Sequence, residues 1–143
     1  MPLALIFAAV AEERDGIATE PPVDVEARAA SWTLDGTLVA VADDGEIAGS
    51  IHVDPSRHGF GDLGMAVARE WRGRGVGSAL LAAAVEWARE RGLHKLSLGV
   101  FPHNTAAIAL YRKFGFVEEG RHAKQLRRSS GELWDIVDMG LLL

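Results

Sequence analysis

At 143 residues, 48% hydrophobic and 24% charged, the sequence has the size and composition of one soluble globular domain spanning residues 1–143. The absence of cysteine excludes disulfides, thiolate nucleophiles and Cys-ligated metals, and no apolar run reaches the ~18 residues needed to cross a bilayer. A net charge of −5 argues against a general nucleic-acid binder, and together these features predict a cytoplasmic protein that contacts neither nucleic acid nor membrane.

The elements follow from periodicity and turn chemistry. Leu3–Arg14 reads as a core helix rather than a secretion signal, because no basic segment precedes it and Glu12-Glu13-Arg14 follows. Thr19-Glu20-Pro21-Pro22 breaks that helix, and a second is expected from about Val23 to Trp32. Thr37–Ala42 and Glu46–Val53 alternate as strands about the hairpin signal Asp43-Asp44-Gly45. A loop from Pro55 to Gly59 leads to a third strand, Leu63–Val67. Arg72-Gly73-Arg74-Gly75-Val76-Gly77 then opens a helix whose Val76, Leu80, Ala84, Trp87 and Ala88 share one stripe, with Gly92 as its stop. Lys95–Val100 is a strand. Asn104 is a good N-cap for Thr105–Phe114, which Gly115 closes. Phe116–Leu126 and Leu133–Leu142 form a closing hairpin around Ser129-Ser130-Gly131. The chain is therefore mixed α/β.

Three glycines between a strand and a helix let several backbone N–H groups converge on one anion, and the helix N-terminus adds partial positive charge. Arg72 and Arg74 add cationic attraction. A phosphate site is the natural reading, and its specific forms can be separated. A Walker loop requires Gly-Lys-Ser/Thr, but Gly77 is followed by Ser78-Ala79. A dinucleotide fingerprint requires glycine at Ser78 and an acid near Ser97, and both are missing. A glycine turn that merely enters a tightly packed helix remains the plainer alternative.

The segment does not stand alone. Arg72-x-x-Gly75-x-Gly77, preceded by Leu63-Gly64-Met65-Ala66-Val67, resembles the pyrophosphate loop of the GNAT-family N-acetyltransferases. Asn104 through Phe116 is similar to that family's N-x-x-A-x-x-x-Y-x-x-x-G-F signature. The tail, including Gly131-Glu132-Leu133-Trp134-Asp135, is most similar to the branch acting on free amino acids and other small amines. The resemblance is clearest from Glu46 onward, and against the family's pattern the opening strand is expected to be missing or truncated at the N-terminus.

The resemblance implies a GNAT fold: a mixed, mostly antiparallel, splayed sheet flanked by helices, with acetyl-CoA as co-substrate in the gap between the strands at 61–67 and 95–100. It implies that backbone groups of Met65, Ala66 and Val67 hold the pantetheine arm. The amides of Arg72, Gly73, Arg74, Gly75, Val76, Gly77 and Ser78 would hold the pyrophosphate. Asn104 would touch the pantetheine arm, and Tyr111 would sit beside the sulfur. Asn104 and Tyr111 are seven residues apart, two helical turns, so spacing alone puts them on one face. A plain cap for Asn104 and core packing for Tyr111 are the alternatives.

The implied activity moves an acetyl group to a primary amine of a small molecule through a direct tetrahedral intermediate. A protein lysine or N-terminal acetyltransferase and a non-catalytic acyl-CoA sensor are the other readings. The chemistry needs a neutral amine, a donor for the developing oxyanion and a proton for the departing thiolate. A backbone N–H in 65–67 serves the second, and Tyr111 is the candidate general acid. The base is less obvious. Relatives that acetylate protein N-termini carry a glutamate where this chain has Gly99, which weighs against that specificity. Asp62 is the nearest carboxylate, acting through water; an exposed strand-end acid is its plainer reading, and deprotonation by solvent is a further route.

No His/Asp/Glu cluster has metal-ligand spacing, so no metal is expected, and His52, His58 and His103 read as surface residues. Arg121, Lys124, Arg127 and Arg128 read as a solvated basic hairpin, or more sharply as a contact for an anionic substrate. The four tryptophans read as packing residues. Residues 1–60 carry 11 acids and 3 bases, residues 61–143 carry 9 acids and 12 bases. An acidic entrance near Glu20 would concentrate cationic amines, and plain surface solvation is the alternative. A homodimer through the C-terminal strands is compatible with the family.

Overall fold

The computed structural model describes residues 35–143. The helices expected over 3–14 and 23–32, the break expected at Glu20 and the expectation about an opening strand all fall outside the described residues. The described elements are strands β1 (Thr37–Val41), β2 (Ile47–Pro55) and β3 (Phe60–Val67), helix α1 (Val76–Glu90), β4 (Lys95–Val100), helix α2 (Thr105–Lys113), β5 (Val117–Arg127) and β6 (Leu133–Leu142). They differ from the sequence boundaries by a few residues at most. The largest change is at β3, which starts at Phe60 because Asp62 and Gly61 pair with the end of β2 and Phe60 pairs with Lys95 of β4.

The strands form one sheet in the order β1-β2-β3-β4-β6-β5. Every neighbouring pair is antiparallel except β3 and β4, which are parallel. Turn chemistry sets the hairpins. Gly45 takes φ 87 between β1 and β2, where an L-residue would be strained, and Asp44 accepts the Glu46 N–H at 2.9 Å. At the other end of the sheet Gly131 takes φ 92, and Arg128 N–H donates to Glu132 O at 2.8 Å.

Strand alternation divides the sheet into two faces. The register puts Ile51, Val53, Leu63, Met65, Leu96, Leu98, Val100, Val137 and Met139 on one face. Helix α1 buries Leu80, Leu81, Ala84, Val85 and Ala88 in the same core, and α2 adds Tyr111. The apolar stripe of α1 is wider than the spacing of Val76, Leu80, Ala84, Trp87 and Ala88 indicated, since Leu81 and Val85 are also buried. Trp87 instead lies partly exposed under the Arg91 guanidinium, 4.7 Å away. The opposite face carries Asp62, Ser97, Gly99, Trp134, Ile136 and Asp138, with His122 of β5 opposite Ile136.

Among the described residues β5 forms one edge of the sheet, and it is exposed over most of its length. Its pairing with β6 shifts register twice, between Glu118 and Gly120 and between His122 and Leu126. Inside the second shift Lys124 adopts φ 52, and Asp135 holds it there by accepting the Lys124 N–H at 2.7 Å and Arg121 Nε at 2.9 Å. Those two donors, the Lys124 amide first, keep the Asp135 carboxyl below its ordinary range.

Candidate functional site

β3 and β4 pair at only three positions: Phe60 with Lys95, Gly61 with Leu96 and Asp62 with Ser97. Beyond them Leu63–Val67 remains paired to β2 while Leu98–Val100 remains paired to β6, so a gap opens within the sheet. The direction of the backbone groups bordering it follows from one bond. Ala68 N–H donates to Ala48 O of β2, at 2.9 Å, so Ala66 also turns toward β2 and Met65 and Val67 turn toward the gap. Arg72 Nε donates to Val67 O at 3.1 Å, which ties the following loop to the end of β3.

That loop ends in the glycine turn, where the three glycines play different parts. Gly73 and Gly75 take φ 71 and φ 83, and a Cβ built on either would meet nothing within 4 Å. They shape a left-handed turn that faces open space. Gly77 lies inside α1, and a Cβ there would come within 3.1 Å of a Leu110 methyl and 3.6 Å of the Met65 methyl. Its smallness lets α1 approach α2 and β3. Helix α1 has Gly75 as N-cap, no side-chain cap and no acid in its first turn. Its first internal bond is Ala79 N–H to Gly75 O, so the N–H groups of Val76, Gly77 and Ser78 lack helical partners. Arg74 lies with its guanidinium 4.1 Å from the Trp71 ring at the same turn. An uncapped helix end, three open amides and two nearby arginines make a cradle for an anion.

Asn104 caps α2, its side chain accepting the Ala107 N–H at 3.3 Å. Tyr111, two turns on, is 7% exposed, and its ring meets Phe116 at 5.7 Å between centroids. Burial disfavours the phenolate and pushes the Tyr111 pKa up to about 12. Tyr111 therefore stays protonated at neutral pH as a potential proton donor. As the chain's single tyrosine, it can be titrated directly by the ultraviolet absorbance of tyrosinate. The midpoint should lie near 12, above the ordinary 10; a midpoint at 10 would show the hydroxyl to be solvated. The folded state holds this proton more tightly than the unfolded, so its contribution to stability is full below pH 10 and declines as pH rises toward 12.

The remaining candidates separate. Asp62 is exposed at the closed end of the gap, on the face away from α1 and α2. His52 Nδ1 is 2.7 Å from Thr37 Oγ1 across β1 and β2, and His58 lies exposed in the loop before β3. The basic hairpin is not uniformly solvated. Arg121 pairs with Asp135, whereas Arg128 is 3% exposed, with its guanidinium 4.4 Å from the Trp134 ring and 5.3 Å from Phe101. His103 stacks on Phe101 in the same cluster. Stacking on two rings explains why so polar a group is found in the interior. Two residues that the motifs did not single out also converge: Asp138 Oδ2 lies 2.6 Å from His122 Nε2, beside Gly99. The signal in the sequence was Asp138 itself, a carboxylate in step with Trp134 and Ile136.

The profile of the Acetyltransferase (GNAT) family matches residues 7–116. Among curated relatives, the L-amino acid N-acetyltransferase AaaT of Escherichia coli (strain K12) is 37% identical over 106 residues, 68% of this chain and 62% of that protein. The chain spans only 29% and 32% of two other matched relatives. Among solved structures, ribosomal-protein-alanine N-acetyltransferase from Brucella melitensis is 33% identical with a TM-score of 0.88, covering 99% of this chain and 92% of that one. The fold is also that of yncA from Salmonella typhimurium, solved with its cofactor acetyl-CoA: TM-score 0.87, 22% identity, 98% and 86% covered.

Proposed function

We propose, from the premise that the chain belongs to the acetyltransferase (GNAT) family, that it transfers an acetyl group from acetyl-CoA to a primary amine of a small molecule. The observation that carries this reading is the split between β3 and β4, with backbone groups of Met65 and Val67 turned into it. An extended amide-bearing arm can pair with such an edge as an added strand would. The open space at Gly73 and Gly75 fits a diphosphate against the amides of Val76, Gly77 and Ser78. Arg72 and Arg74 supply charge there, and Asn104 contacts the arm from the start of α2.

Acetyl-CoA, when bound, supplies an activated acyl group as a thioester. The chain supplies the rest. A Met65 N–H facing the gap stabilises negative charge developing on the acyl oxygen. Tyr111, protonated and buried, gives a proton to the departing sulfur. AaaT, by its name, acts on L-amino acids, which favours a small zwitterionic acceptor. The Brucella neighbour, named for a ribosomal-protein alanine, favours the second reading of a protein amine. Gly99, which offers no carboxylate, weighs against it.

Free CoA decides the matter. The chain has no cysteine, so a thiol reagent reads released CoA without background from the protein. Incubation with acetyl-CoA and a panel of amino acids, small amines and N-terminal peptides should release CoA with at least one small amine. Tight acetyl-CoA binding without CoA release would identify a sensor.

The glycine turn gives a test of binding. Gly75→Ala should weaken acetyl-CoA at least tenfold, about 1.4 kcal/mol, by putting a methyl into the anion's space. It also forces an alanine into left-handed backbone, a cost of roughly 1–2 kcal/mol in stability. Gly45→Ala provides the control, since Gly45 has φ 87 and equally open surroundings in a remote hairpin. Calorimetry should show weakened affinity for the first variant alone; equal affinities would remove the turn from the cofactor site.

A further inference from the structure

We propose that Asp138, positioned by His122, is the group that takes the proton from the incoming amine. The assignment rests on the acetyltransferase reading above and supplies a base that no carboxylate on β4 provides. Helices α1 and α2, the glycine turn and Tyr111 belong to one face of the sheet, so the acyl donor approaches the gap from that side. An amine attacking directly must then reach the gap from the opposite face.

On that face β4 borders the gap with Gly99, which is exposed and lies beyond the last position paired to β3. Asp138 is its partner on β6. A Cβ built at Gly99 would lie 4.0 Å from Asp138 Oδ1. The nearest atom there is the Ile136 Cγ2 methyl, at 3.1 Å, so the absent side chain leaves room beside that methyl for water between the gap and a carboxylate one strand away. The other oxygen, Oδ2, is held 2.6 Å from His122 Nε2. The pair is about half exposed, 45% for Asp138 and 50% for His122, so the proton it accepts can pass to solvent. The rival carboxylates among the described residues are less suited. Asp135 is engaged by Lys124 and Arg121 on the helix face, Glu119 is paired with Lys95 at 2.8 Å, and Asp62 sits where the gap is closed.

The balance is simple. The ammonium form of the acceptor gives one proton to Asp138 through water, leaving a nitrogen lone pair. That pair forms the N–C bond while the carbonyl pair moves to the acyl oxygen; its return breaks the C–S bond, and the thiolate takes a proton from Tyr111. The new amide nitrogen loses its second proton, which restores Tyr111 through water, and the first leaves Asp138 for solvent. One amide, one thiol and one released proton result.

The test compares two acceptors, an alkylamine that is protonated at the assay pH and a weakly basic amine that is already neutral. Asp138→Asn, which keeps the shape, should lower turnover of the alkylamine at least tenfold and spare the neutral amine. Acetyl-CoA affinity and melting temperature should be unchanged, and Asp138→Glu should restore part of the loss. His122→Ala should show a smaller loss with the same dependence on amine basicity. Unchanged alkylamine turnover in Asp138→Asn, an equal loss with both amines, or a loss confined to Asp62→Asn would each overturn the assignment. Absence of wild-type turnover with every amine would instead overturn the acetyltransferase reading itself, and this assignment with it.

Discussion

Replacing Tyr111 with phenylalanine should lower turnover by ~10²–10⁴-fold while acetyl-CoA binds nearly as before. The ring contributes packing, and phenylalanine keeps it against Phe116. What is lost is one hydroxyl, whose proton burial holds to about pH 12. A thiolate leaves far more readily when a proton reaches it during C–S cleavage, so the deficit belongs in kcat and not in cofactor affinity. Single-turnover measurements with saturating acetyl-CoA isolate that step. Wild-type rates there would assign the proton to water and leave Tyr111 as a core residue.

Truncating Phe116 to alanine should cost ~3–5 kcal/mol of stability, a large share of the ~5–15 kcal/mol that a domain has in total. Phe116 is 2% exposed and follows directly on the close of α2, where its N–H donates to Tyr111 O at 3.1 Å. It packs with Tyr111 and the β4 and β6 side chains in one core, so few neighbours are free to collapse into the space it leaves. Urea unfolding should show the midpoint falling with little change in slope. Any protein that still folds should also show the tyrosine titration moving back toward 10, because the cavity exposes the hydroxyl to water. A stability loss under 1 kcal/mol would mean that α2 can close over the site.

Much of this architecture was legible in the residues because local chemistry and global packing agree. Asn104 and Gly115 bracket α2, and Gly92, at φ 74, stops α1 as its position implied. The gap was visible only through the family resemblance. Nothing in Leu63–Val67 or Leu98–Val100 says that two parallel strands stop pairing after three positions. Gly77 shows a different limit: its place in a glycine-rich run suggested ligand contact, and only the neighbouring Leu110 and Met65 reveal a helix packed too close for a side chain. In sequence, Arg128 belongs to a basic run that reads as a solvated hairpin or as a contact for an anionic substrate. Its place between Phe101 and Trp134 depends on the fold of its own hairpin, which brings Trp134 back to it, and on Phe101, which follows β4 and is distant in the chain. Asp138 carries no signal in its own stretch of sequence beyond its step with Trp134 and Ile136, since its setting comes from Gly99 on one neighbouring strand and His122 on the other.

The kink that Asp135 imposes at Lys124 has a consequence for how copies of the chain meet. An 11-residue strand at the edge of a sheet is a template on which another molecule's strand can add, the first step toward aggregation. β5 interrupts that template twice, and the second interruption turns the backbone through a left-handed residue flanked by Arg121 and Arg127. A strand laid along β5 would lose registry within a few residues and would bring its own charges against these cations. Changing Lys124 to glycine would keep the bend and remove one charge; removing Asp135 would release the bend itself and expose a straighter, stickier edge.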